Sequence, residues 1–595
     1  MERPVRTSGL RTANRRAVGA LASALFLGMQ IFAQQPVDSL TAAASSTWQP
    51  KIHFYAPPRW INDPNGPILL NGQYQLFFQY NPLGDEWGHM SWGHATSSDL
   101  VHWKQLPVAI PEANGVMIFS GSTVEDRDNT SGLCAGPGQK SPGCLVAIYT
   151  GASQDKQNQN LAVSVDGGTT WTKYPGNPVL DLGLKDFRDP KVFWHAATRN
   201  WVMVVALPDQ HKVRFYHSKN LRQWELGGEF GPAGATGGVW ECPDLMELPV
   251  REPAGKRDAL GKIVASRWVL SVNLNPGGPQ GGSADQYFIG QFDGAHFTED
   301  HPGSGPHWAD WGKDFYASTS FSNTPPGQDR LWIAWMGNWN YARNLPSLPG
   351  RGEMTVARKV YLRQPLDRTS ATPSQEPLLL VQQPVLSTPS FRPSAALFGS
   401  SPYQTITQAN EHIAAQKLTG SAYLMRVTLD TGDAAEAGVR LRRSTADPNQ
   451  AAQEETVVGI DRATGRIFVD RSRSGKTDWA PEFPARVWAP LKHSQANSIR
   501  LEIVVDRNSI EVFAEDGETV FTELIYPSAT SQGFRSTPRR RRREWGRHWC
   551  AAWSSFPWNR SSSTQVPTEP TVPDPLCVLC TMGGKAQKPR RTANS

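Results

Sequence analysis

Three carboxylates in this chain stand in short, conformationally restricted runs. Asp63 lies in Arg59-Trp60-Ile61-Asn62-Asp63-Pro64-Asn65-Gly66, Asp189 in Phe187-Arg188-Asp189-Pro190, and Glu241 in Val239-Trp240-Glu241-Cys242-Pro243. Proline follows each acid directly or one residue on, which restricts the neighbouring backbone. An aromatic ring or an arginine is close by in every case. Fixed acids among aromatic and amide groups suit cleavage of a glycosidic bond. One acid attacks or shields the anomeric carbon, another gives a proton to the leaving oxygen, and rings pack on the sugar's apolar face. A lone Asp-Pro is more often a turn or N-cap aspartate. Three in one chain favour the chemical reading.

The remaining candidate groups carry less. His89, His94 and His102 are loosely spaced among tryptophans and read as structural side chains rather than metal ligands. Cys134 and Cys144 bracket a Gly/Pro loop and could pair in an exported protein. Cys577-x-x-Cys580 lacks the second half of a zinc site, and no histidine lies near Cys242 in sequence to activate its thiol. The run Gly277-Gly278-Pro279-Gln280-Gly281-Gly282 is a loop without the Gly-Lys-Ser/Thr of a phosphate cradle.

Acids so far apart in sequence need a fold that brings them together. Apolar runs at Tyr74–Tyr80, Leu145–Thr150, Trp201–Leu207, Arg267–Asn273 and Arg330–Met336 start about 55–70 residues apart, as repeated all-β units would. A turn leading to an aromatic recurs at Ser98–Trp103, Asp166–Trp171 and Asn220–Trp224, and more weakly at Asp293–Phe297. Five strand centres with a shared turn fit a five-bladed β-propeller, whose inner strands converge on one axis. A generic β-sandwich is the alternative. The boundaries read as 48–363 for the propeller and 364–393 for a Pro/Ser/Thr-rich linker with a strand or two. Residues 394–534, with period-two alternation as in Ser498–Val505, read as a β-sandwich.

At 595 residues the chain is too long for one ordinary core, and 39% hydrophobic with 19% charged residues is a globular composition. The net charge of +6 resides at the ends. Residues 1–33 hold five Arg and one Glu, and residues 535–595 hold twelve Lys/Arg against three Asp/Glu, which leaves the body acidic. That distribution argues against nucleic acid as a partner. Basic residues before the apolar stretch Ala17–Phe32 make 1–33 an export signal, with an uncleaved anchor as the alternative. No other membrane segment is expected, and a secreted or periplasmic location follows. Residues 535–595, with five consecutive arginines at 539–543, read as a disordered basic tail.

The ordered set Trp60–Gly66, Phe119-Ser-Gly-Ser122, Arg188-Asp-Pro190 and Glu241-Cys-Pro243 resembles glycoside hydrolase family 32, the invertase, inulinase and levanase family of β-fructosidases. Phe78–Pro82, Trp92–Ala95, Lys313–Ala317 and Trp335–Trp339 extend the likeness, which covers residues 48–534. The resemblance implies Asp63 as nucleophile, Glu241 as general acid/base and Asp189 as a transition-state stabiliser. It also implies that Asn62, Gln79, Trp87, Phe119, Ser120, Arg188 and a tryptophan of the Trp335/Trp339 pair surround a terminal fructose. The expected activity is exo-hydrolysis of levan, inulin or sucrose with retention, needing no metal or cofactor. Fructosyl transfer through the same intermediate and non-catalytic fructan binding are the alternatives. Sequence leaves the oligomeric state open.

Overall fold

All five apolar runs become the second strand of a four-stranded antiparallel blade in the computed structural model, which describes residues 47–134, 143–252, 261–325, 328–346, 350–364, 377–386, 405–415, 417–430, 432, 434–445, 451–491, 498–539 and 551–557. These second strands are buried on both faces, which explains their unbroken apolar character. The innermost strands are Trp60–Leu70, Met117–Asp126, Arg188–His195, Val239–Arg251 and Tyr316–Ser320. Each packs beside the next, and the fifth returns to the first. Backbone hydrogen bonds from Ile61 to Arg351 (2.8 Å) and from Leu69 to Ser322 (3.1 Å) link blade one to blade five.

The recurrent turn joins the third and fourth strands of blades one to four. Asp99, Asp166, Asn220 and Asp293 each accept backbone N–H groups two to four residues on. In three of the copies the tryptophan donates its indole N–H back to the turn, from Trp103 to Leu100, Trp171 to Gly168 and Trp224 to Leu221. Side-chain capping of this kind is why Asp or Asn recurs there. The expected linker contains a strand. Leu379–Pro384 pairs with Arg358–Arg363 as the outer strand of blade five, because Leu380 and Val381 need the cover that pairing gives them.

Two five-stranded sheets form the second domain. One runs Thr519–Leu524, Ser509–Ala514, Ser498–Val505, Tyr423–Asp430, Ala551–Pro557, and the other Arg486–Pro490, Arg466–Arg473, Glu455–Asp461, Glu436–Arg443, Gly533–Arg539. The expectation of a disordered tail from residue 535 fails at residues 535–539 and 551–557. Residues 533–539 and 551–557 each complete a sheet, and the main chain forms that ladder whatever the side-chain charge. A helix, Ile406–Ala415, was also not anticipated; its Asn410 exchanges two hydrogen bonds with the backbone of Ser536, each 3.0 Å. The export signal at 1–33 and the remainder of the tail lie outside the described residues. Among the described residues no helix is long and apolar enough to cross a membrane.

Buried charge joins the domains. Arg358 meets Asp310 (3.1 Å) and Glu511 (2.6 Å), while Arg471 meets Asp314 (2.5 Å) and Glu523 (2.8 Å). His53 lies between Asp506 (3.0 Å) and Glu511 (2.8 Å). Burial lowers its pKa, but the hydrogen bonds and charges of these carboxylates outweigh burial and raise it to about 10.

Two predictions follow from this architecture. A chain ending at Phe534 lacks both closing strands and exposes two sheet edges. Its melting temperature should fall by more than about 4 °C, since each kcal/mol is worth about 2–4 °C in a domain of 150–250 residues; an unchanged, soluble truncation would show these strands to be dispensable. His53, with its raised folded pKa, contributes stability that is full below its unfolded value near 6.5 and lost as pH rises through about 10. His53→Gln should therefore cost about 3–5 kcal/mol at pH 6 and progressively less toward pH 10, read from urea midpoints; a pH-independent cost would exclude the ion pair as its cause.

Candidate active site

Each inner strand carries an irregularity at the same level: between Ile61 and Pro64, Ile118 and Gly121, Arg188 and Lys191, Glu241 and Asp244, and Tyr316 and Thr319. Bulges re-aim side chains, and these five surround the axis. Asp189, Cys242 and Ala317 have left-handed backbone there, with φ of 67°, 44° and 55°, a conformation unusual for residues other than glycine. The Asp189 N–H is anchored on Thr150 Oγ1 at 2.9 Å. Gly121 is required by close approach, because a Cβ there would sit 2.1 Å from the Ile148 carbonyl oxygen.

Asp63, Asp189 and Glu241, from blades one, three and four, meet at this level. Asp63 accepts hydrogen bonds from Ser120 (2.7 Å) and Asn62 (3.0 Å), and Trp60 fixes Asn62 through its indole N–H (2.8 Å). Burial raises the Asp63 pKa above the ordinary carboxylate range; the bonds from Ser120 and Asn62 oppose the rise, and the Glu241 charge adds to it. Burial also raises Asp189, against the pull of Arg188 and with the push of Glu241 and Asp63. The backbone N–H of Cys242 donates to Asp189 at 3.0 Å.

Glu241 is held at both oxygens. Arg188 donates to Oε1 from Nε (3.0 Å) and Nη2 (2.9 Å), and the Tyr316 hydroxyl donates to Oε2. Arg188 is steadied by Asp186 (2.7 Å) and Gln157 (3.1 Å). The Cys242 sulfur lies 3.5 Å from Asp63 and 3.6 Å from Asp189. Burial and the three surrounding carboxylates push this thiol well above its usual range, so it stays protonated and acts as a weak donor. Pro64, Ser120, Asp189, Cys242 and Ala317 line a cavity at this level.

Aromatic rings complete the rim. Trp87 and Phe119 meet edge to face at 6.1 Å, and Trp339 stacks on Trp60 at 6.2 Å. Of the Trp335/Trp339 pair, Trp335 is fully buried behind its neighbour, with ring centroids 4.9 Å apart, while Trp339 is partly exposed. Gln79 is buried, its amide donating to the Ile118 carbonyl at 3.0 Å. Trp87, Phe119, Trp335 and Trp339 share one apolar cluster with Tyr316 and Cys242, Asn62 and Ser120 bond to Asp63, and Arg188 bonds to Glu241.

Sequence reading assigned no role to Tyr316, Thr150, Gln157 or Asn273. Asn273 bridges the Cys242 carbonyl (3.1 Å) and the Ala317 N–H (2.8 Å), tying the bulges of blades four and five. Only Tyr316 carried a signal, its place in Lys313-Asp-Phe-Tyr-Ala317. The three histidines go to separate partners: His89 to Glu112, His94 to Gln75, and His102 to Asp99.

A propeller and sandwich with carboxylates gathered at the axis are the architecture of a glycoside hydrolase, and comparison with known proteins narrows the class. The family model described as the glycosyl hydrolases family 32 N-terminal domain matches residues 53–374, and the family 32 C-terminal model matches residues 395–539. The chain belongs to glycosyl hydrolase family 32. It is 42% identical to a levanase of Bacillus subtilis over 82% of this chain and 67% of the relative. It is 39% identical to an extracellular exo-inulinase of Aspergillus niger over 80% and 89%. The crystal structure of an exo-inulinase from Aspergillus awamori superposes with a TM-score of 0.74 at 35% identity, covering 86% of this chain and 98% of that one. A β-fructofuranosidase from Schwanniomyces occidentalis, complexed with fructosyl-erythritol, gives 0.72 at 31% identity over 87% and 98%.

Proposed function

We propose that this chain is an exo-acting β-fructosidase that releases terminal fructose from levan, inulin or sucrose with retention of configuration, and that it works outside the cytoplasm. The observation that carries the reading is the convergence of Asp63 and Asp189 on the Cys242 sulfur, with the charges of Asp63 and Glu241 acting on Asp189 and both oxygens of Glu241 held by Arg188 and Tyr316. The names of the levanase and exo-inulinase relatives support the substrate class. The export-signal character of residues 1–33, the Cys134–Cys144 disulfide and the relatives named extracellular support the location.

In this reading Asp63 attacks the anomeric carbon and forms a fructosyl ester. Ser120 and Asn62 favour its ionised form against the cost of burial. Glu241 gives a proton to the departing oxygen and then takes one from the incoming water. Arg188 keeps Oε1 occupied, which directs proton exchange to Oε2 beside Tyr316. Asp189, held by the Cys242 N–H, binds sugar hydroxyls whose hydrogen bonds strengthen as positive charge develops on the ring. Trp87, Phe119 and Trp339 pack on the fructose and shield it from water, with Trp335 and Gln79 backing the wall.

Chromatography of early products from sucrose, inulin and levan tests the activity. Fructose alone is expected; oligomers from the start would mean endo-cleavage, and lengthened products would mean transfer. Glu241→Gln should cut turnover of sucrose and fructans by about 10²–10⁴-fold and affect an activated aryl fructoside far less, because that leaving group needs little protonation. Equal losses on both would remove Glu241 from the role. The acid limb of kcat/KM reports protonation of Asp63, which is active only when ionised. Ser120 lowers the Asp63 pKa, so Ser120→Ala should move that limb to higher pH; a limb that stays put or moves down would contradict the assignment.

A further inference from the structure

We propose that Trp488 on the sandwich is a second carbohydrate-binding surface, carrying the part of a fructan chain that extends beyond the pocket. The proposal rests on the reading of the pocket given above. Trp488 lies on the edge strand Arg486–Pro490. Its neighbours Val487 and Ala489 belong to the domain core, which turns Trp488 outward, and the residue remains 40% exposed. The Arg466 guanidinium lies 3.2 Å from the ring centroid and backs the indole. Across the strand pair, Phe468 is similarly covered by Arg486, whose guanidinium is 3.6 Å from its centroid. An exposed indole braced by a stacked cation is preorganised to pack on a sugar's apolar face.

One loop connects the backbone of this strand to Trp339. Gln280 donates its amide to the Trp488 carbonyl at 2.7 Å. Three residues on, Ser283 Oγ accepts the backbone N–H of Trp339 at 3.0 Å. Between them Gly282 packs so tightly that a Cβ would sit 2.3 Å from Asn338 Oδ1 and 2.8 Å from Asn340 Nδ2. The same short segment therefore fixes the tryptophan at the pocket rim and reaches the tryptophan on the sandwich. The nearby arginines are engaged with rings, and Arg486 also with Glu436 (2.8 Å). A neutral, hydroxyl-rich chain matches that chemistry better than a polyanion.

The test compares full-length wild type, Trp488→Ala and Trp488→Phe on levan, inulin and sucrose. For Trp488→Ala, kcat/KM on the polymers should fall about three- to tenfold, the loss of one aromatic–sugar contact. Sucrose kinetics should stay unchanged, which also shows that the variant folds, and Trp488→Phe should recover most of the polymer rate. In levan-containing native gels, Asp63→Asn protein should be retarded more than the Asp63→Asn/Trp488→Ala double variant. Equal retardation, or polymer and sucrose constants that move together, would overturn the proposal. Absence of fructose release by the wild type would instead overturn the reading of the pocket, while the gel comparison would still report on Trp488.

Discussion

Three carboxylates, Asp189 buried and Asp63 and Glu241 half-buried, repel one another, and the rest of the architecture has to hold them there. Asp63 and Asp189 are both driven toward the neutral form by burial and by their neighbours' charge. Arg188 contacts Glu241 directly and Asp189 at 3.9 Å, which offsets part of the repulsion. The remainder is borne by hydrogen bonds and by the closed ring of inner strands, which cannot splay without breaking the link between blades one and five. Catalytic carboxylates with unlike environments are how one site obtains both an acid and an ionised nucleophile. Here Asp63 has hydroxyl and amide donors, and Glu241 a guanidinium and a phenol.

Five bulges at one level turn a generic propeller into a site. A regular inner strand would send alternate residues toward the axis and away from it. The bulges break that alternation, so Asn62 and Asp63 share one environment, as do Glu241 and Cys242. Proline after each acid and left-handed backbone at Asp189 and Cys242 fix the distortion locally. Backbone strain of this kind persists only where surrounding contacts over-determine it. Thr150 and Asn273 make such contacts from second strands.

Much of this was legible in the sequence, for identifiable reasons. Second strands such as Trp201–Leu207 are buried on both faces and so read as plain apolar runs. The third-to-fourth-strand turn repeats because Asp or Asn must cap it and an indole must bond back to it. The inner strands were harder to see, since Trp60-Ile-Asn-Asp-Pro-Asn-Gly66 looks like a turn. Tyr316 and Asn273 act through contacts between blades, which spacing along the chain does not encode. The distinction between Trp335 and Trp339 depends on which ring lies in front. The tail misled because pairing of 533–539 and 551–557 is made by the main chain, which Arg-rich composition neither announces nor forbids.

The segment before the propeller is tied to residues near the far end of the second domain. Backbone N–H groups of Lys51, Ile52 and His53 converge on the Asp506 carboxylate, and the Trp48 indole donates to the Pro527 carbonyl, across 453 to 479 residues of chain. Contacts so distant in sequence form late, because their loop-closure entropy is spent before they give anything back. As the ribosome delivers the chain from its N-terminus, these hydrogen bonds of residues 48–53 wait until Asp506 and then Pro527 have emerged. The segment before the propeller is thus locked only once most of the sandwich has been made. A polypeptide built in that order stays unlocked at its N-terminal segment through most of its synthesis.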